Sequence, residues 1–180
     1  MKICVPDDRG GCAVVLGLSL EEFLLLHVVI SMIGIFAGFV VLGGMYASHK
    51  LPFWTAIFLF TTILTTLTGF LFPISIFTPA LAVGILSMII LLVAVLALYV
   101  FRLSGWWRGI YVAAAVAALY LNVFVFIVQS FQKVTFLQHL APKQAEPPFV
   151  ITQVAVLAIL VVLGALALWK FHPERRLQSV

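Results

Sequence analysis

Charged side chains are scarce in this chain of 180 residues. Asp, Glu, Lys and Arg together make up only 9% of it, whereas 64% of the residues are hydrophobic. A soluble domain of average composition carries about 25% charged residues. So few charges cannot cover a water-soluble surface, which excludes a soluble enzyme, a nucleic-acid-binding domain and a disordered tail. The sequence therefore predicts an integral membrane protein that contacts the lipid bilayer and has no nucleic acid partner.

Cysteine is also rare, because Cys4 and Cys12 are the only two. Their spacing is typical of neither a redox motif nor a zinc site, so a disulfide and two unpaired thiols both remain open. The sequence contains no GxSxG, HExxH, CxxC or P-loop motif. These absences argue against a hydrolase, a metalloprotease or an ATPase. They favour a non-enzymatic protein without catalytic residues or a metal site.

Long uncharged intervals provide room for five membrane spans. They lie between Glu22 and Lys50, Lys50 and Arg102, Arg108 and Lys133, and Glu146 and Lys170. A helix needs about 20 residues to cross the bilayer core, so the second interval holds two spans, with Pro73 and Pro79 in the turn between them. We predict an all-α fold, a polytopic transmembrane helical bundle with spans at about 22–47, 53–72, 80–101, 110–131 and 149–169.

The spans divide the chain into three parts. Residues 1–18 are predicted to be an N-terminal extracytoplasmic or interfacial segment, 19–171 the transmembrane domain, and 172–180 a basic cytoplasmic tail. Ser19 and Glu22 fit a capping box that starts the first helix. The outer loop 131–149 begins with an amphipathic stretch, which predicts a segment along the membrane surface.

Basic residues predict how the bundle is oriented. Six lie on one side (Lys50, Arg102, Arg108, Lys170, Arg175 and Arg176), and four lie on the other (Lys2, Arg9, Lys133 and Lys143). Because basic residues favour the cytoplasmic face, the N-terminus is expected outside and the C-terminus in the cytoplasm. A small five-span bundle with short loops resembles many bacterial inner-membrane proteins. We therefore expect a multi-pass protein of the inner (plasma) membrane.

Small and polar residues within the spans are the predicted contacts between helices. The first span carries Gly34 and Gly38 in a GxxxG motif, the second carries Thr62, Thr66 and Gly69 on one face, and the fourth carries Asn122. Packing within the bundle is the expected role of these residues. The alternatives are an oligomer interface at the GxxxG motif and a polar cavity lined by the threonines.

His27 is the one residue inside a span that titrates near neutral pH, and it raises three chemical hypotheses. In the first, His27 and His139 bind a b-type haem as axial ligands. In the second, both histidines bind zinc or copper together with Glu146 and Glu21 or Glu22. In the third, Gln129, Glu146 and His139 surround a quinone or a lipid head group. The structural alternative is that His27 hydrogen-bonds a neighbouring helix.

Three functions follow from these observations. The leading hypothesis is a non-enzymatic accessory or scaffold subunit that packs beside a larger membrane complex, such as a respiratory or redox one, with other subunits or a second copy as partners. The alternative is an electron-transfer protein that binds haem or quinone near the outer face through His27 and His139. The second alternative is a passive conduit for a small solute. Beyond Glu22, at the very start of the first span, the spans contain no charged residue, which argues against an ion-coupled carrier.

Overall fold

The computed structural model describes residues 14–15, 17–72 and 79–172. A pair of two-residue antiparallel strands, β1 (Val14–Val15) and β2 (Leu18–Ser19), precedes the helices. The helices are α1 (Leu20–Tyr46), α2 (Pro52–Phe70), α3 (Pro79–Val95), α4 (Trp107–Lys133), α5 (Thr135–Leu140) and α6 (Pro147–Lys170). The two cysteines, the turn at 73–78 and residues 173–180 of the basic tail lie outside the described residues.

Five helices are long and apolar enough to cross a membrane. They are α1, α2, α4, α6 and the segment Leu81–Val100, in which α3 continues into a π-helical turn. Large apolar side chains such as Phe53, Phe60 and Leu92 are exposed on the outer surface. Such a surface suits hydrocarbon rather than water. The predicted helical class and the predicted number of membrane helices are confirmed, and the chain is a multi-pass membrane protein by these criteria.

The glycines of α1 allow close approach to two neighbouring helices. A Cβ atom at Gly38 would lie 2.7 Å from Leu119 Cδ1 and 2.9 Å from Phe58 Cε2. A Cβ atom at Gly34 would lie 3.0 Å from Thr61 Oγ1. Because α2 and α4 occupy the space that larger side chains would need, the GxxxG face of α1 lies against them inside the bundle.

Polar contacts join the segment after α1, the C-terminal end of α6 and the first turn of α4 at one end of the bundle. The Ser48 hydroxyl donates to the carbonyl oxygen of Lys170, and the His172 amide donates to Ser48 Oγ at 3.1 Å. Arg108 Nη1 donates to the carbonyl oxygen of Phe171 at 2.9 Å. Two of these bonds occupy carbonyl groups at the C-terminus of α6, where a helix leaves such groups without partners. We refer to this arrangement as the α1–α6 junction.

Candidate functional site

A cavity of about 310 Å³ lies among α1, α2, α3 and α4, towards the other end of the bundle. Its wall is mainly apolar, and each of the four helices contributes at least one polar side chain. These side chains are His27, Ser31, Thr65, Thr66, Ser87, Asn122 and Gln129. Small-molecule sites are typically apolar cavities of about 300–1,000 Å³ with a few convergent polar groups. The cavity has the size and composition of such a site.

His27 is positioned by α2 and by an aromatic neighbour. Its Nδ1 atom lies 2.8 Å from Thr68 Oγ1, so His27 hydrogen-bonds the neighbouring helix. The imidazole meets the Phe72 ring edge to face, with 5.3 Å between the ring centroids. Gly69 lies close to the ring, because a Cβ atom there would be in van der Waals contact with His27 Cε1 at 3.7 Å. The ring is held on one side and borders the cavity on the other.

Thr65 has a buried hydroxyl group without a hydrogen-bond partner among the described residues. Three neighbouring threonines on α2 behave differently, because each donates to the carbonyl oxygen one turn earlier at 2.7–2.9 Å: Thr61 to Ile57, Thr66 to Thr62, and Thr68 to Leu64. An unpaired buried polar group costs about 1–3 kcal/mol. Thr65 belongs to the cavity wall and is only 9% exposed, so its unpaired hydroxyl group lies buried beside the cavity.

Asn122 and Gln129 give the cavity its length along α4. They are seven residues apart, which corresponds to about 10 Å along a helix. The Asn122 amide donates to Thr62 Oγ1 at 3.2 Å and is buried. One turn before it, Leu119 packs against the Gly38 backbone. The bundle is therefore tightly packed next to Asn122, and the cavity ends there.

The structure groups some predicted site residues and separates others. His27, Thr66, Gly69, Asn122 and Gln129 all line the cavity. Gly34, Gly38 and Thr62 make the helix contacts beside it. His139 is exposed on α5, and Glu146 precedes α6, so neither joins His27 in the cavity wall.

Glu146 organises its own loop instead. Its carboxylate accepts hydrogen bonds from the backbone amides of Lys143 and Ala145, each at 3.1 Å. Desolvation acts to raise the pKa of Glu146, but hydrogen bonds from backbone amides and the nearby Lys143 charge together hold that pKa below its ordinary value. The carboxylate is therefore engaged in the turn that leads into α6.

The described residues provide one imidazole at the cavity rather than the pair expected for haem. Within those ranges, no group of three or more His, Cys, Asp and Glu side chains is arranged to hold a metal ion. The cavity wall in the described part of the chain also has no charged side chain. Its chemistry is that of neutral hydrogen-bonding groups on an apolar surface.

The contribution of Thr65 and Thr68 was not recognised in the sequence. Both belong to a helix with many threonines, and the sequence does not show which of these hydroxyl groups contact a neighbouring helix and which border a cavity. The one indication in the sequence is that the threonine-rich second span follows directly after the span that contains His27, so a hydroxyl group of one can hydrogen-bond the imidazole of the other.

Comparison with known proteins adds no assignment. No protein-family model matches the chain, and no curated protein or solved structure is significantly similar to it.

Proposed function

We propose that this protein binds a small uncharged molecule with a polar head and an apolar body in the cavity among α1–α4. The observation that carries this proposal is the cavity itself, a mainly apolar space to which each of four helices contributes at least one polar side chain. The Thr65 hydroxyl, which is buried and has no hydrogen-bond partner among the described residues, belongs to the same wall. Apolar wall residues such as Phe70 and Leu121 suit a hydrocarbon or ring system. A charged ligand is disfavoured, because no wall residue in the described part of the chain offers a compensating charge.

This proposal keeps the quinone or lipid hypothesis and changes its residues. The polar groups of the cavity include His27, Thr66 and Gln129, whereas Glu146 and His139 lie outside it. The tight packing around Gly38 favours a binding pocket over a passive conduit, because it closes the cavity on one side. Electron transfer is not part of the proposal.

Cavity filling tests the proposal. Gly69→Val adds methyl groups beside His27, and Gly109→Val is a matched control, because a Cβ atom at either glycine has its nearest neighbour at 3.7 Å. Gly109 does not line the cavity. We expect organic extracts of the purified protein to contain a molecule that is enriched in the wild type and in Gly109→Val, and depleted in Gly69→Val. Identical extracts from all three folded proteins would contradict the proposal.

We also propose that the N-terminus lies outside and that the protein resides in the inner (plasma) membrane. The support is the excess of basic residues, six against four, on the side of the C-terminus. His27 is near the start of α1 and Gln129 is near the end of α4. In this orientation, the cavity lies in the outer half of the bilayer.

The role of an accessory subunit remains a prediction from the sequence. Purification in a mild detergent at native expression levels tests it, because a subunit brings defined membrane partners with it. Recovery of the protein alone in every such preparation would count against this role.

A further inference from the structure

The two short contacts of Thr68 favour one position for the His27 proton. Thr68 Oγ1 is 2.8 Å from the carbonyl oxygen of Leu64 and 2.8 Å from His27 Nδ1. A carbonyl oxygen accepts only, and a hydroxyl group has a single proton to donate. Both contacts are hydrogen bonds if the Thr68 hydroxyl donates to Leu64 and its oxygen accepts from a protonated Nδ1. The opposite arrangement, in which Thr68 donates to His27, leaves the Leu64 contact without a proton.

A neutral imidazole protonated at Nδ1 has a lone pair at Nε2. The described residues offer no hydrogen-bond donor to this atom, since the polar contact of His27 is the one with Thr68. His27 lines the cavity, and Thr68 occupies its Nδ1 atom. Nε2 is thus the ring nitrogen left for a ligand, and it accepts rather than donates.

Several other polar groups of the wall do not impose a direction, since the hydroxyls of Thr65 and Ser87 donate or accept and the side-chain amides of Asn122 and Gln129 contain both kinds of group. Thr66 already donates its proton to the Thr62 carbonyl oxygen, so its hydroxyl oxygen is left as an acceptor. His27 and Thr66 are therefore the side chains that discriminate between ligands, and both favour a ligand that donates. A ligand with a hydroxyl group can donate a hydrogen bond to Nε2. An ether or ketone oxygen has no proton, so it would place its own lone pair next to that of Nε2, and no hydrogen bond would form.

We infer that the ligand carries a hydroxyl group at its polar end and donates a hydrogen bond from it to His27 Nε2. This inference rests on the proposed binding function and names the chemical class of the ligand. Two sources share this chemistry: phenols, including hydroquinones, and aliphatic alcohols of the membrane. Thr68 acts as a positioning residue, because it fixes the proton on the far side of the ring.

Three probes with the same hexyl chain test the inference on the full-length protein in lipid nanodiscs. They are 4-hexylphenol, 4-hexylcyclohexanol and 4-hexylanisole, in which a methyl group replaces the phenolic proton. We expect at least one hydroxyl compound to bind roughly tenfold more tightly than the anisole, because the anisole leaves Nε2 unpaired. Whether the phenol or the cyclohexanol binds more tightly distinguishes the aromatic source from the aliphatic one. Equal or tighter binding of the anisole would overturn the inference while leaving the binding function intact.

Failure of the proposed function has a different signature. Binding in the cavity is binding to the wild type that is lost in Gly69→Val. If none of the three probes shows such binding, both the function and the inference are overturned. Binding that Gly69→Val prevents but that does not depend on the hydroxyl group overturns the inference alone.

Thr68→Val tests the positioning role. The substitution removes the oxygen that holds the proton on Nδ1, so His27 gains access to the form protonated at Nε2. We expect the preference for hydroxyl compounds over the anisole to fall by about tenfold, with tighter binding of the anisole. Thr152→Val is the control, because Thr152 also donates to a carbonyl oxygen one turn earlier at 2.8 Å and does not line the cavity. A preference that is unchanged in Thr68→Val would contradict this role.

Nitrogen-15 NMR of the imidazole gives a readout that requires no ligand, with the His27 signals assigned through their loss in His27→Phe. We expect a protonated Nδ1 and an unprotonated Nε2 in the wild type. A proton on Nε2 in the ligand-free wild type would overturn the inference directly.

Discussion

Gly38 and Gly43 are five residues apart on α1 and have very different surroundings. A Cβ atom at Gly38 would meet Leu119 and Phe58 at 2.7–3.0 Å, whereas nothing lies within 4 Å of one at Gly43. In Gly38→Ala, the core of the bundle must therefore shift to accommodate a single methyl group. In Gly43→Ala, the methyl group enters open space and reduces the flexibility of the unfolded chain.

We expect Gly38→Ala to lower the free energy of unfolding by about 1–3 kcal/mol, because overpacking forces side chains from their preferred positions. Gly43→Ala is expected to leave it unchanged or to raise it by up to about 1 kcal/mol. Thermal unfolding of the detergent-solubilised variants measures both. Similar losses of stability in the two variants would show that the helix contact at Gly38 is not the cause.

Glu146 makes the turn before α6 sensitive to pH. The folded-state pKa of its carboxyl group lies below the ordinary value of 4.5, so the charged form stabilises the turn. That contribution is fully present above pH 4.5 and is lost as the pH falls through the lower folded-state pKa. We expect the Lys143 and Ala145 amides to lose protection from hydrogen exchange in this acidic range. In Glu146→Gln, protection should be low throughout, and equal protection in the wild type and the variant would contradict the assignment.

Residue contacts were predictable from the sequence where they are local. The capping box joins Ser19 and Glu22, which are three residues apart, and the structure confirms it. The contact between His27 and Thr68 joins residues 41 positions apart. Its formation depends on how α1 and α2 are rotated about their axes, which apolar spans of uniform composition do not specify. For that reason, His27 was identified as a candidate and its partner was not.

At the scale of elements, the absence of charge located the helices, but it did not determine their geometry. The π-helical turn Leu96–Val100 interrupts a segment that is apolar on all sides. Arg102 and Leu103 follow with positive φ angles of 49° and 60°. Neither residue type favours that conformation. The backbone conformation at Arg102 and Leu103 therefore depends on packing around them. This packing includes the Trp107 ring, which stacks on Phe101 with 3.6 Å between the ring centroids.

The α1–α6 junction provides a prediction about one element. Arg108 donates to the carbonyl oxygen of Phe171 at the C-terminal end of α6. We expect Arg108→Gln to lower the free energy of unfolding by about 1–3 kcal/mol, because this hydrogen bond involves a charged donor. Hydrogen exchange should increase in the last turn of α6. Arg102→Gln is the control, because Arg102 is an exposed arginine in the turn before α4, the helix that carries Arg108. An equal loss of stability in both variants would indicate a general effect of charge and would contradict the prediction.

At the scale of the whole molecule, the path of α4 determines on which side of the membrane the segments before and after it lie. This helix has 27 residues, which corresponds to about 40 Å and is enough to cross a bilayer. If α4 crosses, the segment before Trp107 and the segment after Lys133 must lie on opposite aqueous sides. The excess of basic residues then predicts which side is which.

Single-cysteine labelling tests both statements once Cys4 and Cys12 have been replaced by serine. Arg102→Cys and His139→Cys report on the two sides, and Ser104→Cys and Ala145→Cys form a second exposed pair. With a membrane-impermeant maleimide, we expect His139→Cys and Ala145→Cys to react in intact cells, and the other two to react only after permeabilisation. Reaction of all four in intact cells would show that α4 does not cross. A reversed pattern would leave the crossing in place and invert the orientation, which would move the cavity to the cytoplasmic half of the bilayer. The ligand would then have to enter from that leaflet, so the labelling result also determines which lipids can deliver it.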